Sequence, residues 1–343
     1  MAARAFIMGL SGPNITAEER AFASDAQPWG LIIFRRNVER PEQLRRLTSD
    51  FRDALGRDAP VLVDQEGGRV QRLGPPHWPD YPPGAAYGRL YDRDPETALE
   101  AARLGGRLIA ADLQPLGLDI DCLPVADIPV PGADPVIGDR AYGESPAKVA
   151  ALAGAIAQGL LAGGVLPVVK HLPGHGRAKA DSHKALPVVD TDRASLEGSD
   201  FAAFRPLAGL PLGMTAHVVF SAIDAVAPAT TSAIMIHEVI RGTIGFQGLL
   251  MSDDISMGAL SGSLSARTRG AIAAGCDIVL HCNGEMAQMR EVAAAAPVLA
   301  GEAGRRAEAA LARRLKPSGF DVAAARSRFG HLMGHAPAGI LAS

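Results

Sequence analysis

Short apolar runs alternate with longer segments that carry helix signals along almost the whole chain. The runs are rich in Val, Ile and Leu, which is typical of strands that are buried on both faces, as in a parallel sheet. They predict eight strands at residues 5–10, 30–34, 60–64, 118–123, 165–169, 212–215, 248–251 and 277–282.

The segments between these strands begin with residues that favour the start of a helix. Thr16 is followed by Glu18 and Glu19, which is the pattern of a capping residue and an acidic first turn. Prolines at 41, 95 and 146 suit the first helical position, where a missing N–H does no harm. The predicted helices begin after Thr16 and then span residues 41–55, 95–116, 146–163, 195–207, 231–241 and 263–274, with the last ones between 285 and 315.

Eight strand–helix units in a chain of 343 residues predict an α/β fold of the (β/α)8 TIM-type barrel. A doubly wound open sheet is the alternative, but no G-x-G-x-x-G follows any of the predicted strands. We expect residues 1–343 to form a single catalytic domain, with the tail from about residue 318 at its periphery.

Charge and composition exclude several classes of partner. The chain has 34 basic and 37 acidic residues, a net charge of −3, and only 5% aromatic residues, so no nucleic-acid partner is indicated. The N-terminus does not resemble a signal peptide, and no apolar run approaches the roughly eighteen residues of a membrane span. Cys276 and Cys282 are too far apart on one extended segment for a disulfide, so we expect reduced thiols. These features predict a cytoplasmic monomer with no cofactor and no membrane partner.

In a barrel of this kind, polar residues at the carboxyl ends of the strands point into a shared pocket. The predicted strands of this chain end in such residues from the third strand onward. They are Asp64, Asp121, Asp127, Lys170, His171, His217, Asp253, Asp254 and Asn283. We therefore expect the chemistry at this rim.

The loop after the fifth strand, KHLPGHGRAKADSH, is the densest of these clusters. Asp181 and His183 are two residues apart, so both side chains lie on one side of an extended segment. A carboxylate beside an imidazole fixes the tautomer of the ring and favours its protonated form, which makes a proton donor near neutral pH. The alternative is a surface loop in which these residues only stabilise turns.

Two further blocks carry candidate residues. In LLMSDDIS, strand alternation places Leu249, Met251 and Asp253 on one face, although Asp253 or Asp254 could also be a helix cap. In DQEGGRVQR, Asp64 and two arginines suit sugar hydroxyls or an anionic group, or a structural ion pair.

The three blocks together, KHLPGHG with ADSH, DQEGGRVQRL and SDDISMGA, resemble the bacterial β-N-acetylglucosaminidases of glycoside hydrolase family 3 (NagZ type). The resemblance implies a retaining glycoside hydrolase that removes terminal N-acetylglucosamine from cell-wall muropeptides during peptidoglycan recycling. It implies that Asp253 is the nucleophile, His183 the acid/base and Asp181 its partner. It also implies that the sugar is held by Asp64, Arg72, Arg140, Lys170 and His171.

One segment departs from the family pattern. Relatives carry a Glu after the block that corresponds to SDDISM, whereas this chain has Met257-Gly258 followed by a shortened segment. The part of the pocket beyond the cleaved bond is therefore expected to differ in shape.

Three alternatives remain open. A glycoside phosphorylase could use the same scaffold, because a histidine acid/base adds no negative charge and lets phosphate approach. A metal-dependent barrel hydrolase would use His171, His175, His183 and Asp253, although no H-x-H or H-E-x-x-H pair is present. A non-catalytic sugar-binding barrel is the third.

Overall fold

Eight parallel strands close into a barrel in the computed structural model, which describes residues 2–317 and 319–334. Each strand pairs with its neighbours in the chain, and β1 pairs with β8 to close the ring. The strands are β1 Arg4–Met8, β2 Pro28–Ile33, β3 Val61–Val63, β4 Ile120–Asp121, β5 Leu166–Leu172, β6 Leu212–Thr215, β7 Leu249–Asp254 and β8 Ile278–Leu280. The predicted (β/α)8 barrel is confirmed.

Helices surround this barrel on its outer side. The Thr16 hydroxyl accepts a hydrogen bond from the Glu19 N–H, and the Thr16 N–H donates to the Glu19 carboxylate, so the predicted helix start is a full capping box. The helices are α1 Ala17–Ala26, α2 Pro41–Leu55, α3 Gly84–Tyr91, α4 Pro95–Leu113, α5 Pro146–Ala162, α6 Arg193–Gly198, α7 Asp200–Phe204, α8 Leu264–Ala274, α9 Met286–Ala295, α10 Gly301–Ala312 and α11 Val322–Leu332, with a π-helix at Met235–Thr243 between α7 and α8.

Alternation along the strands divides the apolar residues between two cores. One set fills the inside of the barrel and includes Leu166 and Val168 of β5 and Leu249 and Met251 of β7. The residues of opposite parity, such as Val169 and Leu250, pack between the barrel and the helices. Inward-facing positions at the carboxyl end of each strand therefore become the floor of the barrel mouth.

Two helices lie outside the sequence prediction. Helix α3 falls between the predicted third strand and the helix predicted from residue 95, where no helix was expected, and α11 falls in the expected tail, where it packs on α4. The Phe329 ring contacts Tyr81 and Tyr87, and Arg326 forms an ion pair with Asp112 at 2.6 Å. The tail is therefore attached to the barrel through residue 334, while residues 318 and 335–343 lie outside the described part of the chain.

None of the helices within the described ranges is long and apolar enough to cross a lipid bilayer. Cys122, Cys276 and Cys282 are buried free thiols.

Close backbone contact joins α4 to α5. A Cβ on Gly159 of α5 would overlap the carbonyl oxygen of Arg103 in α4, whereas a Cβ on Gly154 of α5 would meet only Leu207, at 3.6 Å. Glycine is therefore required by packing at one of these two positions of the same helix.

We predict opposite effects for alanine at these two glycines. Gly159→Ala should lower the free energy of unfolding by about 1–3 kcal/mol, because the added methyl group forces the helices apart. Gly154→Ala is the matched control and should raise it by up to about 1 kcal/mol, because alanine favours a helix. Urea denaturation of both variants measures this, and equal effects would contradict the packing argument.

Candidate active site

A cavity of about 350 Å³ opens at the carboxyl ends of the barrel strands. This volume suits one small-molecule ligand. Its floor comes from the inward-facing strand positions described above, and its walls come from the loops after β3, β4, β5 and β7. The lining residues are Ile32, Phe34, Asp64, Glu66, Arg69, Val70, Arg72, Val136, Arg140, Lys170, His171, His183, Met214, Asp253, Asp254, Met257, Leu280 and Cys282.

All eight predicted site residues lie at this cavity or directly behind it. Seven of them line it, and the eighth, Asp181, contacts His183, which does. Of the other rim residues, Asp127 and His217 are fully buried behind the wall. Asp121 has the outward parity of β4 and accepts a hydrogen bond from the Gln65 N–H, so it does not reach the cavity.

A cluster of opposite charges forms one wall. The Lys170 ammonium lies 2.9 Å from Asp64 and 2.6 Å from Glu66, and only 3% of its side chain is exposed. Arg72 binds the second oxygen of Asp64 at 2.8 Å, and Arg140 binds both oxygens of Glu66 at 2.8 Å. This cluster presents fixed donors and acceptors to the cavity in a defined geometry.

Glu66 is the central residue that the sequence analysis missed. It is the third residue of the DQEGG block and lies two positions after Asp64. The same two-residue spacing that was applied to Asp181 and His183 could have identified it.

The charges in this wall stabilise one another. Burial alone would raise the pKa values of the carboxyl groups, but Lys170 and the arginines lower the pKa of Asp64 far below its usual value and that of Glu66 to about 2. Burial would lower the pKa of Lys170, yet Asp64 and Glu66 raise it above its usual value. The cluster is therefore fully ionised at neutral pH.

The structure distinguishes the two aspartates at the end of β7. The carboxylate of Asp254 accepts hydrogen bonds from the backbone and hydroxyl of Ser256 and from the Cys282 N–H, so it stabilises the local turn. Among the residues that the structure describes, the Asp254 N–H is the one hydrogen-bond donor to the Asp253 carboxylate. Burial would raise the pKa of Asp253, but the imidazoles of His217 and His171 lower it, so the group is a carboxylate at neutral pH.

Three buried histidines, His171, His175 and His217, support the wall near Asp253. His171 Nδ1 lies 2.6 Å from Asp127 Oδ2, and the N–H of His175 donates to Asp127 Oδ1 at 2.6 Å. His217 lies between Thr230 and the carbonyl oxygen of Asp254. Asp127 therefore fixes the position of the ring that lines the cavity.

His183 and Asp181 form the predicted pair. His183 Nδ1 lies 2.8 Å from Asp181 Oδ1, and the same oxygen accepts the His183 N–H at 2.9 Å. Burial would raise the pKa of Asp181, but these two hydrogen bonds lower it below its usual value. The imidazole is 64% exposed, so it can exchange protons with solvent.

Two of the histidines considered above as metal ligands contact other protein groups instead. His171 contacts Asp127, and His175 Nε2 lies 2.9 Å from the Ser182 hydroxyl oxygen. Within the described part of the chain, no group of three or more His, Cys, Asp or Glu side chains is arranged to hold a metal ion.

The comparison with protein families decides the classification. The model described as "Glycosyl hydrolase family 3 N terminal domain" matches residues 4–315. The chain belongs to glycosyl hydrolase family 3. The predicted family is confirmed, and as a member of it the chain is a glycoside hydrolase.

Individual relatives support this membership over most of the chain. A protein named Beta-hexosaminidase from Alkalilimnicola ehrlichii is 42% identical over 281 residues, which is 81% of this chain and 80% of that protein. Another of the same name, from Aromatoleum aromaticum, is 38% identical over 81% of this chain and 78% of that protein. The crystal structure of native NagZ from Neisseria gonorrhoeae is similar, with a TM-score of 0.85 and 32% identity over 98% of this chain and 99% of that chain.

We predict that His175 makes stability depend on pH. Burial lowers its pKa from 6.5 to about 4, so the folded state is stabilised above pH 6.5 and loses this contribution as the pH falls toward 4. Between pH 7 and 5, His175→Gln should lose less unfolding free energy than the wild type, by on the order of 2 kcal/mol, since glutamine does not titrate.

Urea denaturation at both pH values measures this difference. The exposed His77 provides the control, because His77→Gln removes a histidine that is accessible to water in the folded protein. A His175→Gln variant with the same pH dependence as the wild type would contradict the argument.

Proposed function

We propose that this glycoside hydrolase is an exo-acting, retaining β-N-acetylglucosaminidase. The observation that carries the proposal is that the Asp253 carboxylate, at the end of β7, and the His183 imidazole, on the loop after β5, line one cavity. The relatives named Beta-hexosaminidase support the sugar class. A structure of NagZ from Neisseria gonorrhoeae in complex with N-trifluoroacetyl-D-glucosamine, with a TM-score of 0.84 and 32% identity, supports it further.

The proposed reaction has two steps. Asp253 attacks the anomeric carbon and forms a covalent glycosyl-enzyme, while His183 protonates the departing oxygen. His183 then removes a proton from water, which displaces Asp253 with overall retention. Asp181 keeps the ring oriented through its hydrogen bond to Nδ1. An ionised Asp253 and a solvent-accessible His183 are the states that these steps require.

The charged wall is proposed to hold the sugar. Asp64, Arg72, Arg140, Lys170 and His171 can bind hydroxyl and acetamido groups through donors and acceptors fixed before the substrate arrives. The Nε of Arg72 is buried and has no partner among the described residues, which is consistent with a ligand group completing this wall.

The natural substrate proposed is a muropeptide that carries terminal N-acetylglucosamine linked to 1,6-anhydro-N-acetylmuramic acid, as in peptidoglycan recycling. Cytoplasmic location, a monomeric state and the absence of a cofactor stay predictions from the sequence.

The nucleophile can be tested with the neighbouring aspartate as its control. Asp253→Ala should lower kcat on 4-nitrophenyl N-acetyl-β-glucosaminide to background, because the other carboxylates that line the cavity are engaged, Asp64 and Glu66 in ion pairs and Asp254 in a turn. Asp254→Asn should keep measurable activity, because the amide oxygen can still accept the Ser256 N–H and the amide NH2 can donate to the Ser256 hydroxyl oxygen. Mass spectrometry after a 5-fluoro glycosyl inactivator should find the label on Asp253, and a label elsewhere would refute the assignment.

The acid/base role predicts selectivity by leaving group. His183→Ala should lower kcat/KM on disaccharide substrates by at least about 100-fold, since their leaving group needs a proton. The same variant should lose far less on a 2,4-dinitrophenyl glycoside in the glycosylation step. Equal losses on both substrates would count against His183 as the acid.

Phosphorolysis is the second candidate, because an imidazole acid/base adds no negative charge to oppose phosphate. Product analysis with and without inorganic phosphate distinguishes the two reactions, and free N-acetylglucosamine in both conditions is the expected result. Sugar 1-phosphate would favour the phosphorylase, loss of activity with a chelator would favour a metal enzyme, and ligand binding without product would indicate a non-catalytic barrel.

A further inference from the structure

The tip of the loop after β5 contains one buried side chain, and that side chain is polar. In residues 179–186, all of which the structure describes, Ser182 alone is buried, with 2% of its surface exposed. It lies between Asp181 and His183. A hydroxyl buried in an otherwise exposed tip needs a partner, because burying an unpaired polar group is unfavourable.

His175 is that partner. Its Nε2 lies 2.9 Å from the Ser182 hydroxyl oxygen, and the ring itself is 3% exposed. The histidine belongs to the buried base of the same loop, which is fixed to the barrel. The backbone N–H of His175 donates to Asp127. A Cβ on the next residue, Gly176, would overlap the Ile128 carbonyl oxygen.

The base of the loop also connects to His171, one of the residues proposed to hold the sugar. Asp127 binds His175 through Oδ1 and His171 through Oδ2, both at 2.6 Å. Asp127 thus connects the ring of His171, which lines the cavity, with the backbone of His175, and the His175 ring in turn contacts Ser182. The charged pair of Asp181 and His183 flanks the end of this series.

The loop after β7 supports the tip from the other side. The N–H groups of Gly258 and Ala259 donate to the carbonyl oxygens of His183 at 3.2 Å and Ser182 at 3.1 Å. A Cβ on Gly258 would lie 2.9 Å from the first of these oxygens and 3.0 Å from that of Lys184, so the two loops are in close contact. The tip is held between His175 and the shortened segment after Met257.

We propose that His175 and Ser182 are positioning residues for the acid/base: their hydrogen bond sets where the Asp181–His183 pair stands relative to Asp253. The His183 ring is too exposed for its own packing to fix it, so its position depends on the backbone on either side. This inference rests on the proposed function, in which His183 is the proton donor.

The test compares substrates that need protonation with one that does not. Ser182→Ala and His175→Leu remove the hydrogen bond, and His175→Gln keeps an amide that can still donate to the hydroxyl. We expect the first two to lower kcat/KM on phenyl N-acetyl-β-glucosaminide by on the order of 10-fold, with a much smaller loss on the 2,4-dinitrophenyl glycoside. The kcat/KM of His175→Gln on the phenyl glycoside should lie between the values of these two variants and that of the wild type.

The double variant Ser182→Ala/His175→Leu should be no more impaired than the worse single variant, because both changes break the same interaction. Ser232→Ala is the matched control. Ser232 is also buried, and its hydroxyl bonds Asp224 and the Met235 N–H, remote from the cavity lining. Ser232→Ala should change the free energy of unfolding without changing the ratio of the kcat/KM values on the two glycosides.

The outcomes separate this inference from the proposed function. A wild type that hydrolyses neither glycoside, or a His183→Ala variant that loses both equally, overturns the proposed function and this inference with it. A second outcome is that His183→Ala loses more activity on the phenyl glycoside than on the 2,4-dinitrophenyl glycoside, while Ser182→Ala folds and keeps the wild-type ratio of the two kcat/KM values. In that case only the positioning role is wrong. If Ser182→Ala does not fold, His175→Gln and His175→Leu are compared through the same ratio of kcat/KM values. Equal ratios for these two variants would overturn the positioning role.

Discussion

A buried lysine determines how the wall of the active site is arranged. Lys170 occupies an inward-facing position at the carboxyl end of β5, where an unpaired ammonium would be strongly unfavourable. Asp64 and Glu66 supply the opposite charge from the segment after β3, and Glu66 also binds Arg140 from the loop after β4. The loops after β3 and β4 are thus joined to β5 around one cation. The charged wall is therefore fixed before any ligand binds.

The two proposed catalytic groups lie in opposite surroundings. Asp253 is at the end of a barrel strand, among buried histidines that favour its carboxylate form. His183 stands on an exposed loop tip and depends on Asp181 and on the backbone around Ser182 for its orientation. This division suits the chemistry, because a nucleophile benefits from a rigid position, whereas an acid/base must exchange protons with water.

Contacts with distant parts of the chain explain why two helices were not predicted from the sequence. Helix α3 contains Gly84 and Gly88, which lower helix propensity, but both glycines lie against the backbone of residues 140–142. Helix α11 is stabilised by Phe329 and by ion pairs with α4 rather than by a strong apolar pattern of its own. In both helices, partners distant in sequence supply the stabilisation that local preference lacks.

The sequence by itself determined the barrel and the strand ends that carry chemistry. Alternation is local, so the spacing of Leu166, Val168 and Lys170, or of Leu249, Met251 and Asp253, sets which side chains face inward before any contact forms. Only the tertiary structure decided which polar groups meet. It paired Glu66 with Arg140 and Lys170, engaged Asp254 in a turn while leaving Asp253 open, turned Asp121 away from the cavity and joined His175 to Ser182. Hydrogen bonds and ion pairs depend on distances between separate loops, and the closed barrel is what brings those loops together.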